Sequence, residues 1–227
     1  LRCYRMSLEA SEWEQLPNLP ASYNGLIALG ASTVKNNVCI FGGYHVRSNC
    51  SEVTSGRTIR FDPHLNDFVA DGQPIPKPVD DHIQVVWRDS LIYLISGWSN
   101  TTNVTDVQIY NPVDDEWTMG TSVPADNSWR VFGASGSIVG DTIYISGGAG
   151  PNCFGTSNCF KPTNRFRKGI INPDQPEEIE WLDVESENAI GYRMGSTTFN
   201  EFPLWIGGAG NTYNFDGIAY DGSGGVA

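Results

Sequence analysis

One phrase, written four times, constrains this chain more than anything else in it. Residues 26–43 end Cys39-Ile40-Phe41-Gly42-Gly43, and residues 81–97 end Tyr93-Leu94-Ile95-Ser96-Gly97. Residues 129–148 end Ile143-Tyr144-Ile145-Ser146-Gly147-Gly148, and residues 192–208 end Leu204-Trp205-Ile206-Gly207-Gly208. Each reads as an antiparallel hairpin. In the third, a strand of small residues through Ser135-Gly136-Ser137 turns at Gly140-Asp141 and returns as an apolar strand. The closing glycines suit a backbone that runs close to a neighbour or takes positive φ, where a Cβ is not tolerated. The endings recur about 50 to 60 residues apart, a period that signals stacked supersecondary units.

A second phrase fills the gaps. Thr58-Ile59-Arg60-Phe61-Asp62-Pro63 precedes Asp67-Phe68-Val69, Val107-Gln108-Ile109-Tyr110-Asn111-Pro112 precedes Glu116-Trp117-Thr118, and Gly169-Ile170-Ile171-Asn172-Pro173 precedes Glu180-Trp181-Leu182. Asx-Pro starts a turn because proline sets φ and the Asx side chain bonds the backbone beyond it. The aromatic residue that follows anchors an outer strand. Residues 3–8 and Trp13-Glu14-Gln15-Leu16-Pro17 repeat the phrase before any hairpin.

Gly pair, Tyr or Phe strand, Asx-Pro turn and Trp, recurring in that order, resemble the kelch-repeat family over nearly the whole chain. The second hairpin departs from the pattern with Ser96-Gly97, as does the blade before it with Phe68 for Trp. The resemblance implies an all-β fold, a kelch-type β-propeller with four antiparallel strands per blade. About four blades are visible, and residues 1–227 read as one propeller domain. Residues 3–17 are expected to supply the outer strands of the blade whose inner hairpin is 192–208, closing the ring and removing a free edge. Propellers of the family ordinarily have more blades than this. A fragment of a larger propeller, completed by a partner chain, is therefore the other expectation.

The formal net charge is −12 and charged residues are only 18%. Such a surface repels nucleic acid and anionic headgroups and suits basic or neutral partners. No run of 18 or more apolar residues occurs, so no membrane span is expected. Cys153 and Cys159 flank a polar loop and are expected to form a disulfide, which implies an oxidising, secreted or periplasmic location. Cys39 reads as a buried thiol, while Cys3 and Cys50 could pair or stay free. Asn49, Asn100 and Asn103 head glycosylation triplets.

In a propeller, the loops entering each inner hairpin and leaving it share one face. Ligand-binding candidates there are His45, Asp81, His82, Trp98, Trp129, Arg130, Tyr192 and Arg193. Counting back from the glycines makes Ala28, His82, Gly133 and Arg193 equivalent positions. Arg130 and Arg193 are of a kind that clamps carboxylates, and Trp98 and Trp129 of a kind that stacks on sugars. His82 is the candidate acid–base group. Of the three histidines, His64 falls in a turn on the opposite face, and His45 and His82 without a nearby third ligand speak against zinc or copper, so no metal or cofactor is expected. That also counts against the copper radical oxidases that share this architecture. No nucleophile elbow, Walker loop or His-Glu-x-x-His is present. Two functions follow: a binding module for a protein or carbohydrate, or a sugar-acid enzyme like the family's sialic acid epimerases. Convergence of His82, Arg130 and Arg193 on one ligand would favour the enzyme.

Overall fold

A computed structural model describes residues 2–151, 160–163, 165–184, 191–210 and 212. An N-terminal hairpin pairs β1 (Cys3–Arg5) with β2 (Glu14–Leu16). The first blade holds β3 (Ile27–Val34), β4 (Asn37–Val46), β5 (Glu52–Thr54), β6 (Thr58–Asp62) and β7 (Asp67–Phe68). The second holds β8 (Ile83–Trp87), β9 (Leu91–Ile95), the short hairpin β10 (Trp98–Ser99) with β11 (Thr102–Asn103), then β12 (Val107–Asn111) and β13 (Glu116–Gly120). The third repeats this with β14 (Ser135–Val139), β15 (Thr142–Ser146), β16 (Ala149–Pro151), β17 (Phe160–Pro162), β18 (Phe166–Asn172) and β19 (Gln175–Val184). The last hairpin is β20 (Gly195–Phe199) and β21 (Phe202–Ile206).

Each full blade is an antiparallel sheet in chain order: β3-β4-β6-β7, β8-β9-β12-β13 and β14-β15-β18-β19. The inner strands also stack in chain order, β3 on β8, β8 on β14 and β14 on β20. The apolar core lies between the blades, because each sheet buries a face only against its neighbour. Ile83, Val85, Ile95, Val131, Ile143 and Ile145 fill the space between the second and third blades. Outer-strand tryptophans tie each blade to the one before. Trp117 donates to the Gln73 carbonyl at 2.9 Å and sets its ring against Phe41, and Trp181 donates to the Thr121 carbonyl at 2.9 Å. Phe68 has no indole N–H to donate and packs only on Phe61 of its own blade, its sole aromatic contact among the described residues.

The glycine pairs sit where blades touch. The Gly43 N–H donates to the Val79 carbonyl (3.1 Å) and the Gly148 N–H to the Gly191 carbonyl (2.8 Å). A Cβ on Gly42 or Gly147 would collide with those same carbonyls. Ser96 takes the first glycine's place at φ 55°. Its hydroxyl donates to the Val131 carbonyl and accepts from the Val131 N–H, at 3.0 and 2.9 Å. The seeming lapse in the repeat is thus a substitute cross-blade tie.

The expected closure by the N-terminal strands is not made among the described pairings. β1–β2 and β20–β21 are separate two-stranded sheets. β1 and β2 satisfy one another over three residue pairs, with Arg5 bridging Glu14 at 2.8 Å, and Trp13 stays exposed. Cys39 is a buried free thiol, and Cys3 and Cys50 are unpaired. Cys153 and Cys159 lie outside the described residues. No helix among the described residues is long and apolar enough to cross a membrane.

Candidate functional site

The site begins with a backbone irregularity repeated at the entry to each inner hairpin. Ala28, Asp81, Gly133 and Arg193 all take left-handed φ, at 58°, 47°, 64° and 53°. Each is joined to the next around the arc. The Asp81 N–H donates to Ala28 O (2.9 Å), the Gly133 N–H to Asp81 O (2.8 Å) and the Arg193 N–H to Gly133 O (2.8 Å). The equivalent residue of the second blade is therefore Asp81, not His82. The cause is turn length. The second hairpin turns through three residues, between Trp87 and Leu91, where the third turns through two, between Val139 and Thr142. Counting back from the glycines by the usual interval therefore stops one residue short, at His82.

A non-glycine residue in this conformation costs about 1–3 kcal/mol and persists only where its surroundings hold it. Here the side chains are part of what holds it. Arg193 Nε and Nη2 donate to Asp81 Oδ1 and Oδ2 at 2.9 and 2.6 Å, linking the second hairpin to the last across Gly133. Burial disfavours the charged Arg193 guanidinium, but its hydrogen bonds and charge pairing with Asp81 outweigh this and hold it above the usual arginine range. The Nε and Nη2 edge of the guanidinium, the edge suited to a bidentate carboxylate, is thus taken by Asp81.

One position earlier lies a column of inward side chains. Asp80 bridges to Trp98, Phe132 to Ala149 and Tyr192 to Ala209, so Asp80, Phe132 and Tyr192 are equivalent in successive blades. With Tyr44, Trp98 and Phe160 they line a pocket of about 80 Å³, with Glu52, Asp81 and Arg193 also on its walls. Trp98, Phe132 and Phe160 meet edge to face with centroids 5.1–5.9 Å apart, which fixes the aromatic wall.

Two groups in this wall are polar and poorly satisfied. Asp80 is 4% exposed; Thr54 Oγ1 donates to its Oδ2 at 2.7 Å. Burial raises its carboxyl to about 7, helped by the charges of Asp81 and Glu52 and opposed by the Thr54 hydrogen bond and by Arg193. The Tyr192 hydroxyl belongs to a residue 3% exposed and has no hydrogen-bond partner among the described residues.

The other sequence candidates lie elsewhere. His82 is buried, its Nε2 2.9 Å from Gln84 Oε1, and burial lowers its pKa. Its ring packs against Gly30 and Gly42 in the wall of the first blade. Arg130 donates to Asn127 Oδ1 at 3.2 and 2.9 Å. Trp129 is buried in the main core, edge-on to Trp181 at 5.6 Å, so it does not reach the loop face. His45 stays in the β4–β5 ladder opposite Val53. Asn49 and Asn100 are exposed. Asn103 is buried and its Nδ2 donates to the carbonyls of Arg130 and Ala149, which leaves no room for a glycan. His82, Arg130 and Arg193 thus do not converge. Among the described residues, no three His, Cys, Asp or Glu side chains gather as metal ligands.

Sequence reasoning missed Asp80, Phe132 and Phe160. A signal for Asp80 was present once the register is right: a carboxylate stands in a column otherwise made of Phe132 and Tyr192.

Residues 88–124 match the family model described as the Kelch motif. The chain is 29% identical over 119 residues to Kelch-like protein 26 of Danio rerio, covering 52% of this chain and 19% of that protein. It is 24% identical over 148 residues to Kelch-like protein 36 of Bos taurus, covering 64% and 22%. The chain spans about a fifth of the length of these curated relatives. A solved structure titled "Structure of YjhT" superposes with a TM-score of 0.75 at 13% identity, over 95% of this chain and 68% of that one, a likeness of fold alone.

Proposed function

Taking as premise that this is a chain of the kelch-repeat family, we propose that it is an exported protein-interaction module. Its docking face carries the pocket between Asp80, Trp98 and Tyr192. The observation that supports this most is that the polar candidates are tied up within the chain. Arg193 is held by Asp81, Arg130 by Asn127 and His82 by Gln84. What is left open is a small aromatic recess. At about 80 Å³ it is well below the ~300–1,000 Å³ usual for small-molecule sites, and suits one side chain of a partner. Export rests on the bridge expected between Cys153 and Cys159.

A sugar-acid enzyme on the same scaffold is the second reading. One observation favours it: a carboxyl raised to about 7 beside a buried tyrosine suits general acid–base work. Selection from a random-peptide display library separates the two. The module reading expects peptides recovered on the wild type and lost on Trp98→Ala. Recovery of none, with turnover of a free sugar acid by wild type but not by Asp80→Asn, would replace the module with the enzyme.

A further inference from the structure

We propose that this pocket receives a positively charged side chain, a lysine ammonium or arginine guanidinium, presented by the partner protein. The inference rests on the module reading and names what its docking face selects. The charge count comes first. Of the acids at the pocket, Asp81 is matched by Arg193, which leaves Asp80 and Glu52 without a cationic partner among the described residues. Thr54 takes one Asp80 oxygen, and no hydrogen bond among the described residues takes the other.

The second observation is independent of charge. Tyr192 lines the pocket, is more than nine-tenths buried, and its hydroxyl has no partner among the described residues. A buried hydroxyl left unpaired is costly, so its retention points to an occupant that completes it. An N–H of the occupant can donate to that oxygen, and another to the free Asp80 oxygen. An apolar occupant would satisfy neither group. An anion would face Asp80 and Glu52, with the Nε and Nη2 edge of Arg193 already paired to Asp81.

The aromatic wall adds the third element. Rings of Trp and Tyr attract cations over their faces, most strongly where water is excluded. The pocket already shows this preference, since the Arg193 guanidinium sits 5.1 Å from the Tyr192 ring centroid. The recess of about 80 Å³ matches a side-chain head group, and the −12 net charge of the chain draws a basic segment toward it.

Occupancy by a cation requires Asp80 ionised. The groups facing Asp80 are Glu52 and Thr54 of β5, Asp81 beside it, and Arg193 from the entry to the last hairpin. With its carboxyl near 7, Asp80 ionises between pH 6 and 8, so binding should tighten about tenfold over that interval.

The test uses four peptide pools with random flanks and a central Lys, Arg, Nε-acetyl-Lys or Glu, titrated by fluorescence anisotropy. The expected result is binding by the Lys or Arg pool, at least tenfold weaker for the acetylated and Glu pools. Affinity should rise about tenfold from pH 6 to 8. Asp80→Asn should abolish the pH dependence. The exposed Glu52→Gln, which touches no core, should weaken binding a few-fold while leaving the melting temperature unchanged. Binding led by the acetylated or Glu pool, yet lost with Trp98→Ala, overturns the cation proposal and leaves the docking face standing. Binding by no pool, or binding indifferent to Trp98→Ala, overturns both.

Discussion

The inner hairpin of the second blade and the last hairpin spell the same phrase and have different fates. Ile95 of β9 precedes Ser96-Gly97 and is 0% exposed, whereas Ile206 of β21 precedes Gly207-Gly208 and is 65% exposed. Both strands are paired within their own hairpin. The second hairpin also has β12 alongside and β14 across from it, while β20–β21 forms a sheet of two strands. Burial in a repeat array is therefore a property of neighbours, not of the repeat itself.

The sharpest way to break this comparison is to truncate the matched isoleucines. Ile95→Ala should lower the unfolding free energy in urea by about 2–5 kcal/mol through transfer and cavity terms. Ile206→Ala should stay within about 0.5 kcal/mol. Equal losses would mean that the last hairpin is as tightly packed as the second.

The next effect is pH dependence at the interior blade's mouth. Asp80 has a folded pKa of about 7, above its ordinary value of 3.8. Between those limits the folded state binds the extra proton, so stability should be highest below about pH 4 for this group and fall as pH rises toward 7. The loss is of order a few kcal/mol. Asp80→Asn should flatten this slope in urea titrations at pH 5 and 8, and an unchanged slope would remove Asp80 as its source.

A smaller contrast lies in the closing pair. Ser96→Ala strips the hydroxyl that satisfies the Val131 N–H and should cost about 1–3 kcal/mol. Gly207→Ala meets nothing within 4 Å and should cost only the left-handed φ, about 1–2 kcal/mol. The smallest readout is chemical. Burial pushes the Cys39 thiol up to about 11, so native protein should be alkylated at Cys50 and not at Cys39. Denatured but unreduced protein should offer three thiols if Cys153 and Cys159 are bridged, and five if they are not.

These contrasts also mark how far the sequence could be read. The four hairpins, their glycine endings and the outer-strand tryptophans are visible because close backbone approach and ring packing select residue types. The site is harder. The left-handed conformation at Gly133 and Asp81 suits their residue types, but nothing about Ala28 or Arg193 announces it. A single extra turn residue, Ser90 or its neighbours, moved the apparent equivalence from Asp81 to His82. Trp129 looked like a loop aromatic, yet its loop folds inward so that the ring packs on Trp181. That Asp80 joins the column of Phe132 and Tyr192 while Asp81 pairs with Arg193 depends on the bridge to Trp98, a contact between blade edges that residue types do not encode.

The most direct test of the docking face is an NMR titration of the intact chain with a lysine-centred peptide, following indole and tyrosine ring signals. The account predicts shifts at Trp98, Tyr44 and Tyr192, which Asp80→Asn reduces to the level of the wild type at pH 6. Shifts confined to Trp117, beside the second groove at Gln73 and Asp114, with Trp98 unmoved, would contradict it.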